Sequence, residues 1–466
     1  MKIDLTARNR DYSVYIPSMQ IGSARNVRMG ASEWQDGELP HGLEPKDFDY
    51  LRSENKYWSY KYALASAETF KGQSKNAVSS RDPKAFILGD SGGFQIGKGT
   101  FGEAKKWRKL SGKNVCKAWR SSDMRDEIIK WCELNCTYAM TIDIPLWVNR
   151  EGEKNSPFRK LDTDTLIQLS VENLAYLKDV RGKWGASENP CNYLNVLQGD
   201  TEADEQHWYD AVKGFKFDGW SFAGGVGVNG GPYRILKRLL KMADDGLLDD
   251  GYDWLHLLML GKLRWAPFVT AVQRGVRRHN PKFTISYDSS TAYKMGGKFE
   301  QYYASRQLTE NTKTWSQKPI KLPSTWGYAN SSAPIMLCET ICSGPVKCNI
   351  CERGEEHLKA ALDSPIARTL SIQDLLMVKN KKALRRGGRL FEETITNNNV
   401  FVIVDGMIRA NDAVFVTHTA PQQLIDACGL VGQLFEKNEK WDSLLLEHRS
   451  LFEKALGFKA PKFALE

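Results

Sequence analysis

Short apolar runs recur along the chain from Lys84, and each meets a carboxylate, an amide or a glycine before a helical pattern takes over. Phe86–Leu88 runs into Asp90, Tyr138–Ile142 into Asp143, and Tyr193–Leu197 into Gln198-Gly199. Trp220–Phe222 then leads to Gly224-Gly225, Leu255–Met259 to Gly261, and Phe283–Tyr287 to Asp288. Between these runs the apolar residues follow a helical period. Ile167, Val171, Leu174 and Leu177 share a face after a Thr163-Asp164 cap, and Ile235, Leu239 and Met242 do so between Pro232 and a stop at Gly246. Strands alternating with helices imply a parallel sheet, and this many units in about 250 residues favours an α/β fold of the (β/α)8 TIM-barrel type. A barrel turns all its polar strand ends to one mouth. Asp90, Asp143, Gln198, Gly224, Gly225 and Asp288 are therefore predicted to converge in one pocket.

The pattern is weaker on either side. Residues 1–84 hold one β-like piece, Tyr12–Ile16 before Pro17, and then a polar, Trp- and Gly-punctuated stretch; they are read as an N-terminal segment with the first barrel elements. The barrel is placed at 85–335, a cysteine-bearing subdomain with closing helices at 336–385, and a small α+β extension at 386–466. Helical patterning is expected from Leu358 through Leu376, and strands at Val400–Val404 and Val414–Val416.

With 466 residues, 41% of them hydrophobic, the chain can bury a large barrel and an appendage. The excess of 65 Lys and Arg over 56 Asp and Glu fits a polyanionic partner without requiring one. No apolar run approaches a membrane span and the N-terminus lacks the apolar core of a signal peptide, so a cytoplasmic location is expected. Four of the nine cysteines crowd into Cys338–Cys351, which suits a reduced compartment and a metal site better than a disulfide framework. Cys132 and Cys136, one helical turn apart, read as buried packing residues.

Carboxylates at several strand ends suit a division of labour on a glycosidic bond. One can attack the sugar carbon, a second can protonate the departing base and deprotonate the incoming one, and a third, with an amide and backbone groups, can read a purine edge. The run Asp90-Ser91-Gly92-Gly93-Phe94-Gln95 resembles the signature of the tRNA-guanine transglycosylases, which exchange guanine for a 7-deazaguanine base. The resemblance extends in order to about residue 290. It implies that Asp90 is the general acid/base, with Ser91, Gly92 and Gly93 in the substrate turn, and that Phe94 packs on the base. Asp143 and Gln198 would read the base, Gly224, Gly225 and Val226 would offer it backbone N–H groups, Met259 would sandwich it opposite Phe94, and Asp288 would be the nucleophile.

Departures from that family narrow the substrate. The run after the nucleophile, Asp288-Ser-Ser-Thr-Ala-Tyr293, lacks the arginine that reads the anticodon loop, and Asn229-Gly230-Gly231 stands where bacterial enzymes place a glutamate that favours an aminomethyl base. The chain thus resembles most the DNA-guanine transglycosylases of phages and bacterial modification islands, which implies DNA as partner and 7-cyano-7-deazaguanine as the incoming base. If the protein is phage-encoded, its location is the host cytoplasm. The alternatives are a tRNA enzyme and a non-catalytic nucleic-acid-binding paralogue; resemblance also implies a possible homodimer and no redox or nucleotide cofactor. The family's structural zinc knuckle has a counterpart in Cys348 and Cys351, with Val346 replacing the first cysteine. Cys338 and Cys342 would complete a four-thiolate site, His357 is a substitute fourth ligand, and the alternative is loss of the metal. Candidate backbone contacts are Lys105, Lys106, Arg108 and Lys109, with Trp107 and Trp119 placed to stack or wedge, and Lys381, Lys382, Arg385 and Arg386.

Overall fold

The computed structural model describes residues 2–30, 34, 39–40, 42–72, 75–185, 190–299, 301–321, 362–370, 388–436 and 441–459. Eight parallel strands form its centre: β1 (Val14–Pro17), β2 (Tyr62–Ser66), β3 (Phe86–Asp90), β4 (Tyr138–Met140), β5 (Asn192–Leu197), β6 (Gly219–Phe222), β7 (Trp254–Leu257) and β8 (Thr284–Ser289). Each pairs with its neighbour in chain order, β8 pairs with β1, and a parallel bridge between Ser18 and Leu64 joins β1 to β2 and nearly closes the ring. The expected barrel is therefore present, with two of its strands inside residues 1–84. Strand β2 has no counterpart among the expected elements, because Tyr-Ala-Leu-Ala-Ser carries small residues of low strand preference.

Alternate residues of a strand point to one face, and here they stack in layers. Tyr62, Phe86, Tyr138 and Trp254, at strand starts, close the floor; the Phe86 and Trp254 rings stack at 4.6 Å and those of Tyr138 and Trp254 lie 5.1 Å apart. Above them Val14, Ile16, Leu64, Leu88, Met140, Leu194 and Val196 form an apolar middle. One step further along β3 and β8 the same faces bring Asp90 and Asp288 to the C-terminal mouth.

Helices α1 (Gly93–Lys98), α2 (Gly112–Arg120), α3 (Met124–Asn135), α4 (Thr163–Val180), α5 (Glu202–Val212), α6 (Gly231–Asp244) and α7 (Trp265–Val276) surround the barrel. The cap of α4 is Asp162, whose carboxylate accepts the Thr165 N–H at 2.7 Å, one residue before the expected cap. Cys132 and Cys136 are buried as expected, and the Cys136 sulfur lies so near Gly89 that a Cβ there would sit 2.7 Å from it.

The expected C-terminal strands are a correction. Val400–Val404 and Val414–Phe415 lie within α8 (Gly388–Phe415), a helix of 28 residues, followed by α9 (Gln422–Leu434), which packs on α7. Val400, Phe401, Val402, Ile403 and Val404 are all buried, so the run is apolar on every side; a helix enclosed all round looks like a core strand. Three consecutive buried asparagines fasten α8 to the barrel. Asn397 accepts from the Trp58 indole at 3.0 Å, Asn398 from the Asp363 and Ser364 N–H groups at 2.5 and 3.1 Å, and Asn399 from the Tyr303 N–H at 2.8 Å. In the stretch expected to be helical at 358–376, the described residues 362–370 contain a 3-10 turn at Ala367–Thr369.

Candidate active site

The mouth is assembled from loops that follow β3, β4, β5, β6 and β7, and from the end of β8. After β3 the chain turns at Gly92, which has a φ of 83° and donates its N–H to Asp90 Oδ1 at 3.0 Å. Ser91 is buried in this turn. Burial pushes the Asp90 carboxyl above its usual range and the Asp288 charge adds to this, against the opposing pull of the Gly92 bond.

Asp143 is held from behind by α4, where the Ser170 hydroxyl accepts the Ile144 N–H at 3.0 Å and the Asn173 amide donates to the Ile142 carbonyl at 3.4 Å. Gln198 is oriented by the Leu146 N–H, which its Oε1 accepts at 3.0 Å, and so its Nε2 donates to Asp143 Oδ2 at 2.6 Å. Burial, and then the Asp90 charge, push Asp143 up to about 7, despite the bonds from its own backbone and from Gln198. Gly93 serves this arrangement: a Cβ there would lie 2.6 Å from Asp143 Oδ1. The space above Gly93 is thus filled by a carboxylate.

The β5 and β6 loops interlock. Gly225 donates its N–H to the Gly199 carbonyl at 2.8 Å, and a Cβ on Gly225 would lie 2.4 Å from that oxygen. Beneath them buried Glu205 accepts from Arg234 at 2.8 Å and from Arg238 at 2.6 Å, while Arg234 also donates to the Asp200 carbonyl at 2.9 Å. The Gly224–Val226 segment is a 3-10 turn on this base; Gly225 already spends its N–H within the protein.

Asp288 accepts the Met259 N–H on Oδ1 at 2.9 Å. Met259 has a φ of 65°, a conformation costly for a side-chain-bearing residue, and its side chain is 62% exposed. Phe94 is 61% exposed, its ring 5.4 Å from that of Trp147. Exposed Phe and Met side chains on the rim of a pocket that holds three carboxylates can flank a flat, hydrogen-bonding ligand.

The other expected contacts are placed as follows. Lys105, Lys106 and Lys109 are exposed, and Lys106 lies 3.4 Å from Glu103. Arg108 donates to the Lys98 and Gly99 carbonyls at 2.9 and 3.3 Å and so braces the end of α1. Trp107 and Trp119 are buried edge to face, and the Trp119 indole donates to Asn173 at 2.9 Å, so neither ring is free to stack on a base. Cys338, Cys342, Cys348, Cys351 and His357, with Lys381, Lys382, Arg385 and Arg386, lie outside the described residues. Among the described residues no cluster of His, Cys, Asp and Glu could hold a metal, and no helix is long and apolar enough to cross a membrane.

Sequence reading passed over His256 and Ser286, two polar side chains inside the barrel. Their signal was parity: His256 lies two residues after inward-facing Trp254, and Ser286 two before Asp288. The chain matches no protein-family model, and a search of curated proteins finds no match.

Proposed function

We propose that this chain is a base-exchange glycosyltransferase, similar to the tRNA-guanine transglycosylases, that replaces guanine in DNA with 7-cyano-7-deazaguanine. The observation that carries the reading is the meeting of Asp90, Asp143 and Asp288 at one barrel mouth, where the charge of Asp90 reaches Asp143 and that of Asp288 reaches Asp90, beside exposed Phe94 and Met259. An oxygen of Asp288 bonds to C1′ of deoxyguanosine as the C1′–N9 bond breaks, and the electron pair leaves with guanine. Asp90, whose carboxyl burial pushes above its usual range, protonates the departing base. The incoming base then loses its N9 proton to Asp90 and bonds to C1′ through N9, and Asp288 departs as a carboxylate. Electrons balance without an oxidant or reductant. Asp143 and Gln198 hold the base edge between Phe94 and Met259.

A base inside a duplex must be extruded before it can reach such a pocket. Lys105, Lys106 and Lys109, exposed beyond α1, suit the DNA backbone. Zinc, where bound by the cysteine cluster, has a structural role. The test is to incubate the purified protein with radiolabelled guanine and duplex DNA, single-stranded DNA or tRNA. Label is expected in DNA. Label in tRNA alone would transfer the reading to the tRNA enzymes, and label in neither polymer would overturn it.

A further inference from the structure

The middle layer of the barrel is apolar except at Ser221, His256 and Ser286, which lie in register on β6, β7 and β8, Ser286 two residues before Asp288. His256 and Ser286, both fully buried, face each other across paired β7 and β8. Their polar atoms form a chain. The Trp254 indole N–H, which can only donate, reaches Ser286 Oγ at 2.7 Å, and Ser286 Oγ lies 2.8 Å from His256 Nδ1. The other acceptor near the Ser286 hydroxyl, the Leu255 carbonyl, is at 3.5 Å, so the hydroxyl proton goes to Nδ1. The imidazole proton is then on Nε2, which has no hydrogen-bond partner and faces Asp288 Oδ1 at 3.5 Å. The same tautomer follows from the other end, since an unprotonated Nε2 would set a lone pair against a carboxylate in a buried site.

We propose that His256 is a positioning residue for Asp288: Trp254 and Ser286 fix its tautomer, and its Nε2–H, facing Oδ1 at 3.5 Å, adds an electrostatic contact to the oxygen that the Met259 N–H already holds by a hydrogen bond at 2.9 Å. Among the described residues nothing donates to Oδ2. One oxygen is anchored and its partner keeps its lone pairs for attack. This role rests on the reading of Asp288 as nucleophile, although the tautomer itself does not.

Two measurements test it. In protein labelled with 15N-histidine, the His256 resonance, identified by its loss in His256→Gln, is expected to be a neutral ring protonated on Nε2 and to change in Ser286→Ala. A ring protonated on Nδ1, or an imidazolium, overturns the proposal whether or not the protein exchanges bases. In single-turnover exchange, His256→Leu is expected to slow covalent-complex formation about 10- to 100-fold, as loss of a supporting contact does elsewhere. The KM for guanine should stay within about twofold, because Asp143 and Gln198 are untouched, and His256→Gln, which keeps a donor near Nε2, should recover most of the rate. Unchanged rates in His256→Leu, or equal losses in the Leu and Gln variants at equal thermal stability, overturn it. Absence of exchange by the unaltered protein in any polymer removes the functional reading, and the tautomer then decides alone whether His256 is set to hold Asp288.

Discussion

Asp143→Asn separates what the site costs from what it does. Burial and the neighbouring Asp90 raise the folded-state value of Asp143 from 3.8 to about 7. The folded protein thus binds this proton more tightly than the unfolded chain. The associated stability is fully present below about pH 4 and is lost as pH rises to about 7. At about 1.4 kcal/mol per pH unit, the ionised carboxylate costs the free protein on the order of 4 kcal/mol at pH 8.5. Asparagine keeps the shape and an acceptor for Gln198 but cannot ionise. The variant should be more stable than the parent by about 4 kcal/mol at pH 8.5 and by about 1.5 kcal/mol at pH 5. For a chain of this length that is a gain in Tm of about 4 °C and about 1–2 °C, readable by scanning calorimetry. Guanine affinity should fall at least about 100-fold, because the new amide sets a donor against the base's own donors. A Tm difference independent of pH, or a variant less stable than its parent at pH 8.5, would refute the reasoning.

Gly93→Ala places a methyl against Asp143 Oδ1 and should weaken guanine binding about tenfold or more while leaving Tm within a few degrees; calorimetric titration with guanine checks it, and unchanged affinity contradicts it. Asn398→Ala strips the acceptor from the Asp363 and Ser364 N–H groups and should cost about 2–4 kcal/mol, seen as a lower denaturation midpoint with KM unaltered. If the cysteine cluster holds zinc, the purified protein should contain it in stoichiometric amount, and Cys348→Ser with Cys351→Ser should abolish it by elemental analysis.

The barrel was legible because its strands have a simple logic: Phe86, Leu88 and Asp90 fill floor, middle and mouth from alternate positions of one strand, so the apolar run and its polar end appear together in sequence. The same logic located Asp288 on β8. It did not reach relations between strands. Nothing near Gly93 in sequence says that Asp143 fills the space above it, or that Gln198 turns its amide to Asp143 because Leu146 holds the other end. Alternation failed at β2, where Ala63 and Ala65 pack behind inward residues without a strand-like composition, and misled at Val400–Val404, where enclosure rather than period makes every position apolar. Trp107 and Trp119 were misplaced for a related reason, since the two basic helices that carry them, Ala104–Trp107 and α2, bury the rings and leave the lysines outside.

The central claim is most directly tested by trapping the covalent intermediate. The protein is mixed with guanine-containing DNA without an acceptor base, denatured, and examined by gel and mass spectrometry. A denaturant-stable protein–DNA adduct at Asp288, absent from Asp288→Asn and discharged by 7-cyano-7-deazaguanine, is the predicted result. An adduct at another residue, or full base exchange by Asp288→Asn, would contradict it.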